Sequence, residues 1–162
     1  MTTSTTPLSK LVIFLQQYSY QLAFGPAVAA LLGSLYFSEI AKFIPCTLCW
    51  YQRILMYPLV IIIIVGVLTE DKHLPKYVLP LSLLGLGVAG YHYLLQIGVF
   101  GRGEIGMCTV GVPCNARYIN YFGFVTIPFL SLVAFTLISG LVGLGAWAKS
   151  KGGGVDEEGD YE

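Results

Sequence analysis

The chain carries its apolar residues in four long blocks, at about residues 21–38, 47–68, 77–98 and 122–147, separated by shorter polar connections. A helix that crosses the hydrocarbon layer of a membrane needs about 20 predominantly apolar residues, and each block is of that length. The second contains the run Leu59-Val60-Ile61-Ile62-Ile63-Ile64-Val65, embedded in an apolar stretch longer than an ordinary strand. The third carries Gly85, Gly87 and Gly90 and the fourth Gly140, Gly143 and Gly145, small residues that let membrane helices approach closely. The pattern predicts an all-α integral membrane protein, a bundle of four transmembrane helices.

Ahead of the first block, Leu8, Leu11, Leu15, Tyr18 and Leu22 recur as one face of a helix. Residues 8–20 therefore read as an interfacial helix leading into the first span, or as a simple extension of that span. This spacing and the late start of the long apolar run argue against a cleavable signal peptide.

Composition supports the membrane reading: 56% of the 162 residues are hydrophobic and 11% charged, far from a soluble average. Residues 1–148 are expected to form one membrane domain. Residues 149–162, with three glycines and an acidic run, are expected to be a disordered cytoplasmic tail. The net charge is zero and gives no sign of nucleic-acid binding. No glycine-rich phosphate loop or paired-carboxylate site stands out.

Four crossings put both termini on one side, together with connection 69–76, and put connections 39–46 and 99–121 on the other. Basic residues number five on the terminal side (Lys10, Lys72, Lys76, Lys149, Lys151) against four opposite (Lys42, Arg53, Arg102, Arg117). Charge thus favours cytoplasmic termini by a narrow margin. The cysteines carry the orientation instead. Cys46, Cys49, Cys108 and Cys114 all fall on the side opposite the termini, and disulfide chemistry persists outside the cytosol.

Cys46 and Cys49 form a C-x-x-C, Pro45-Cys46-Thr47-Leu48-Cys49-Trp50, where a helix begins. The exposed amides and positive dipole end of such a start favour a thiolate, which makes an activated dithiol. Cys108 and Cys114 stand in a connection that also holds Gly101, Gly103 and Gly106, slack suited to a loop that presents one sulfur outward and returns the other to the membrane. From the cysteines alone, redox exchange, two structural disulfides and a four-cysteine metal site all remain open.

Arg53 follows Cys49 by four residues, one turn deeper on the same helix face. His92 lies about 9 Å below the outer end of the third block by helical rise, a depth similar to that of Arg53. Gln96 follows His92 by one turn. Ionisable groups at membrane depth are candidates for function, with snorkelling to the interface the alternative for Arg53 and simple packing for His92. A cation and an imidazole, walled by aromatics such as Trp50, Tyr51, Tyr91 and Tyr93, suit a planar carbonyl compound that becomes an anion on reduction, such as a membrane quinone.

Pro45-Cys46-Thr47-Leu48-Cys49-Trp50-Tyr51-Gln52-Arg53, Tyr91-His92-Tyr93-Leu94-Leu95-Gln96 and Gly123-Phe124-Val125-Thr126-Ile127-Pro128 resemble the disulfide bond formation protein B (DsbB) family, in particular its BdbC-like branch. The resemblance covers nearly all of residues 8–148. It implies an enzyme of the bacterial cytoplasmic membrane that reoxidises an extracytoplasmic thioredoxin-fold (DsbA-like) dithiol oxidase and passes the electrons to a quinone, menaquinone or ubiquinone. It further implies that Cys108 takes the partner's attack, that Cys114 exchanges with Cys46, and that Cys49 is freed beside the quinone, with Arg53 and His92 lining its pocket. The best-known members spread the second pair over a much longer loop, whereas five residues separate Cys108 from Cys114. The nearest rival is a vitamin K epoxide reductase-like enzyme, in which the C-x-x-C follows the loop cysteines instead of preceding them.

Overall fold

The computed structural model describes residues 7–99, 114 and 124–152. Among these residues the chain forms four long helices: α1 (Pro7–Leu35), α2 (Thr47–Leu68), α3 (Leu74–Ile97) and α4 (Ile127–Gly152). Each contains a segment long and apolar enough to cross a membrane. Backbone polar groups have no water to bond in hydrocarbon, so a helix, which satisfies them internally, is what such segments must form.

The helices close a ring in chain order, with α1 packed on α2 and α4, and α3 on α2 and α4. Inside the ring stand Ala23 and Ala27 of α1, Leu59 and Ile63 of α2, Val78 and Ala89 of α3, and Phe135, Ile138 and Val142 of α4. Many large apolar side chains, among them Leu32, Ile61, Leu84 and Leu144, point outward. In lipid that is the stable arrangement, because apolar surface on the outside of the bundle needs no covering.

Gly85 and Gly145 allow the closest approaches between helices: a methyl group at Gly85 would run into the Phe135 ring and one at Gly145 into the Ser19 side chain, so α3 meets α4, and α4 meets α1, at these points only because the side chains are absent. Of the other two glycines expected to serve this purpose on α3, Gly87 meets nothing and Gly90 only Leu132 at 3.7 Å.

α1 is unbroken from Pro7 to Leu35, so residues 8–20 extend the first helix and do not form a separate one. It then widens into one π-helical turn, Tyr36–Ile40, and ends where Lys42 takes a left-handed conformation, φ 57°. α3 starts on Leu74-Pro75, three residues earlier than expected, and stops at Gly98, φ 81°. There the Val99 amide donates to the Leu94 carbonyl at 3.2 Å, the capping pattern for which glycine is suited.

α4 begins at Ile127, after Thr126-Ile127-Pro128 sets a helix start, and continues through Gly152 into the segment expected to begin the tail. Lys149 Nζ sits 4.3 Å from the centre of the Tyr20 ring on α1, an attraction that ties the last turn of α4 to the bundle. Cys108, Arg102, Arg117, the loop glycines, Phe122, Gly123 and residues 153–162 lie outside the described residues.

Candidate active site

α2 begins at the dithiol. Cys46 is its N-cap, and the sulfur accepts a hydrogen bond from the Cys49 amide at 3.4 Å. This is the position where the unpaired amides of a first turn need an acceptor. Cys46 and Cys49 are free thiols, with their sulfurs 3.0 Å apart. Cys114 is disulfide-bonded. It is also buried, at 4% exposure, and packs against Cys46 and Leu48. Thus the only described cysteine of the long connection comes back onto the mouth of α2.

His92, 1% exposed, stands on α3 behind Cys46. Its Nε2 lies 3.6 Å from Cys46 Sγ and 3.1 Å from the Cys114 carbonyl oxygen. Its Nδ1 lies 3.1 Å from Gln52 Nε2 on α2. An amide nitrogen can only donate, so Nδ1 accepts and the ring proton sits on Nε2, directed at the Cys114 carbonyl and the Cys46 sulfur. One imidazole therefore joins the dithiol to the returning loop.

The Cys46 thiol is pulled from its ordinary 9.0 down to about 4. The chief cause is the Cys49 thiol donating to it, with His92 adding to the effect and burial opposing it. A negative charge on this sulfur has donors on several sides, which is what a leaving group and a nucleophile in disulfide exchange require.

Cys49 faces elsewhere. It opens onto a cavity of about 340 Å³ enclosed by α1, the connection after it, α2 and α4. The volume is in the range of small-molecule sites. Ala29, Ala30 and Gly33 on α1 are too small to fill the gap, and the polar groups at its wall include Gln52 and Arg53. Arg53 is half-buried. It donates from Nη2 to the Ser34 carbonyl at 3.0 Å and lies 5.4 Å from the centre of the Trp50 ring. Ser34 sits just where α1 passes into its π turn, and its carbonyl also accepts from Ser38 Oγ at 3.3 Å.

Arg53 and His92 thus approach the dithiol from two sides. Arg53 is on the Cys49 side with the cavity, and His92 is on the Cys46 side with Cys114. Neither His92 nor any other α3 residue is among those lining the cavity. The aromatic wall also differs from expectation. Trp50 and Tyr51 are 54% and 45% exposed, whereas Phe37, Phe43 and Tyr57 line the cavity. The reason is helical phase: Leu48, Gln52, Met56 and Leu59 make the buried face of α2, which turns Trp50 and Tyr51 outward. Tyr91 packs against the Cys46–Cys114 cluster.

Gln52 is a site residue that the sequence pattern did not single out. A signal for it exists, a polar amide on the face of α2 that runs Leu48, Gln52, Met56, Leu59. The Ser34 carbonyl that receives Arg53 has no sequence signature.

Residues 16–145 match the model of the family described as disulfide bond formation protein DsbB. The chain is 58% identical over 112 residues to disulfide bond formation protein C of Bacillus subtilis (strain 168), covering 69% of this chain and 80% of that protein. It is 48% identical over 124 residues to probable disulfide formation protein C 1 of Bacillus anthracis, covering 76% of this chain and 88% of that one. Probable disulfide formation protein C of Halalkalibacterium halodurans is 53% identical over 112 residues, 69% of this chain and 81% of that protein. No solved structure matches.

Proposed function

Starting from a chain that belongs to the DsbB family and is a disulfide-forming oxidoreductase of the membrane, we propose that it is a thiol:quinone oxidoreductase that reoxidises an extracytoplasmic thioredoxin-fold dithiol oxidase. The observation that carries this reading is the division of the dithiol between two surroundings. Cys46 packs with His92 and disulfide-bonded Cys114, while Cys49 opens onto the cavity with Arg53. Electrons entering at one sulfur have an exit at the other.

In the proposed relay, both pairs begin as disulfides. A thiolate of the partner attacks Cys108, forming a mixed disulfide and releasing the Cys114 thiolate. Cys114 attacks Cys46, breaking the Cys46–Cys49 bond and releasing Cys49 as a thiolate. The partner's second thiol displaces Cys108, whose thiolate then attacks Cys114, closing the outer disulfide and releasing Cys46. Two electrons have moved from the partner dithiol to Cys46 and Cys49. A form with Cys114 bonded and the inner pair free, as in the structure, is the form on which this sequence ends.

The cavity suits the headgroup of a quinone: it is largely apolar, of adequate volume, and carries a cation beside a thiol. A bound quinone, menaquinone or ubiquinone, supplies the two-electron acceptor. Arg53 stabilises negative charge at the Cys49 end, and the Ser34 carbonyl holds its guanidinium in place. His92 and the Cys49 amide hold negative charge on Cys46, ready to rebuild the inner disulfide with Cys49 3.0 Å away. The cysteine end of the bundle then lies outside the bacterial cytoplasmic membrane and both termini inside.

The direct test mixes the detergent-solubilised protein with a reduced thioredoxin-fold dithiol and a short-chain quinone and follows quinone absorbance. Wild type should consume quinone and Cys49→Ala should not. Absence of consumption in wild type, or unchanged consumption in Cys49→Ala, removes the reading.

A further inference from the structure

Cys46 Sγ, Cys49 Sγ and a ring nitrogen of His92 all lie within 4.8 Å of one another. The relay uses the sulfurs in sequence, but the three atoms also form a converging donor set. A tetrahedral zinc with Zn–S of about 2.3 Å and Zn–N of about 2.0–2.1 Å holds its donors about 3.5–3.8 Å apart. Cys46 Sγ and His92 Nε2 already stand at 3.6 Å, and the two sulfurs, at 3.0 Å, need to open by less than the width of an atom. The Cys114 carbonyl oxygen also lies close, 3.1 Å from Nε2.

We propose that the reduced Cys46–Cys49 dithiol and His92 together form a binding site for a soft divalent cation of the zinc class. Two thiolates and an imidazole are the donor set such ions prefer. Binding displaces the remaining thiol protons and leaves the ion with two sulfur ligands. Nε2 must then be unprotonated, so the ring proton moves to Nδ1. Gln52 accommodates this by turning its amide so that Oε1 accepts from Nδ1–H where Nε2 now donates. A metal-bound histidine whose second nitrogen donates to a neighbour is oriented and made more basic by it. While the ion is held, both sulfurs are engaged and the inner disulfide does not form. The site therefore responds to free thiophilic metal as well as to redox state. The oxidised pair has no thiolates to offer, so binding is confined to the reduced form.

The site is tested without quinone or partner, so the outcome is independent of the relay. Full-length protein carrying Cys108→Ser and Cys114→Ser, which leaves the inner pair as the only thiols, is reduced in detergent and titrated with Cd²⁺. The sulfur-to-cadmium charge-transfer absorbance is followed, and Zn²⁺ is then used as competitor. A single ion per chain is expected, displaced by Zn²⁺ and absent once the inner disulfide is closed. His92→Ala and His92→Asn should each weaken binding at least tenfold, and Gln52→Ala by about 10–100-fold. Binding that is missing in the reduced protein, that persists in the oxidised one, or that is as tight in both His92 variants overturns the site.

Discussion

His92 Nε2 and Cys46 Sγ, 46 residues apart in the chain, lie 3.6 Å from each other at the α2–α3 interface. The imidazole donates toward the sulfur that caps α2, so negative charge on Cys46 depends in part on a different helix. A hydrogen bond to a charged group contributes about 1.5–3 kcal/mol, and about 1.4 kcal/mol corresponds to one pKa unit. Replacing His92 by Ala should therefore raise the pH at which Cys46 becomes reactive by roughly one to two units. The pH profile of Cys46 alkylation in the reduced protein, resolved by peptide mass, checks this, and an unchanged profile assigns His92 a packing role only.

The lowered Cys46 pKa also makes the stability of the reduced protein depend on pH. A group whose pKa falls on folding stabilises the fold fully above its unfolded value, here 9.0, and loses that contribution as pH falls through its folded value, about 4. Between these limits the folded, reduced protein should gain thermal stability from Cys46 as pH rises. In the oxidised protein neither sulfur titrates, so the Tm of the reduced form should rise relative to that of the oxidised form as pH approaches 9.0. Parallel Tm–pH series in one detergent measure it.

Arg53 is held by the Ser34 carbonyl and lies near the Trp50 ring. Arg53→Ala should lower kcat/KM for quinone by about 10–100-fold, the loss of one charged hydrogen bond, with little change in helix content. Arg53→Lys should restore only part of it. A lysine ammonium lacks the planar fork that bonds Ser34 while still presenting charge to the cavity.

Gly33 lines the cavity, and a methyl group there meets nothing within 4 Å. Gly33→Leu should fill space near Cys49 without disturbing the fold. A raised KM for quinone with an unchanged or slightly raised Tm is expected, since leucine favours a helix more than glycine does. If the KM for quinone is unaffected, the acceptor does not enter by this cavity.

The two cysteine pairs should separate experimentally. Cys108→Ala and Cys114→Ala should each abolish turnover with the thioredoxin-fold partner. With a small chemical dithiol as donor, the Cys46–Cys49 pair should still consume quinone. Loss of both activities would mean that Cys114 is needed for the cavity end as well, through its packing on Cys46.

Much of the fold is legible in the order of the residues. Span lengths follow from the thickness of hydrocarbon, and the apolar block at 47–68 coincides with α2 at both ends, Thr47 and Leu68. Its start is marked by Pro45 and by a cysteine able to cap. Arg53 stands out because a guanidinium in the second turn of an apolar helix has to be held by something. The order of the cysteines separates the DsbB family from its vitamin K epoxide reductase-like rival, in agreement with the family match over residues 16–145.

What the linear chain determined is therefore the class of structure and the chemical groups available, because lipid imposes helix on apolar segments and thiols and ionisable groups stand out among them. Tertiary packing alone decided how those groups are shared out. Whether His92 meets Arg53 or Cys46 depends on the rotation of α3 against α2, and Gly85 against Phe135 and Gln52 against His92 are among the contacts at which that rotation is held. Apolar helix faces look alike to lipid, so the phase of each helix is written in close contacts between helices and not in the hydropathy of any one of them.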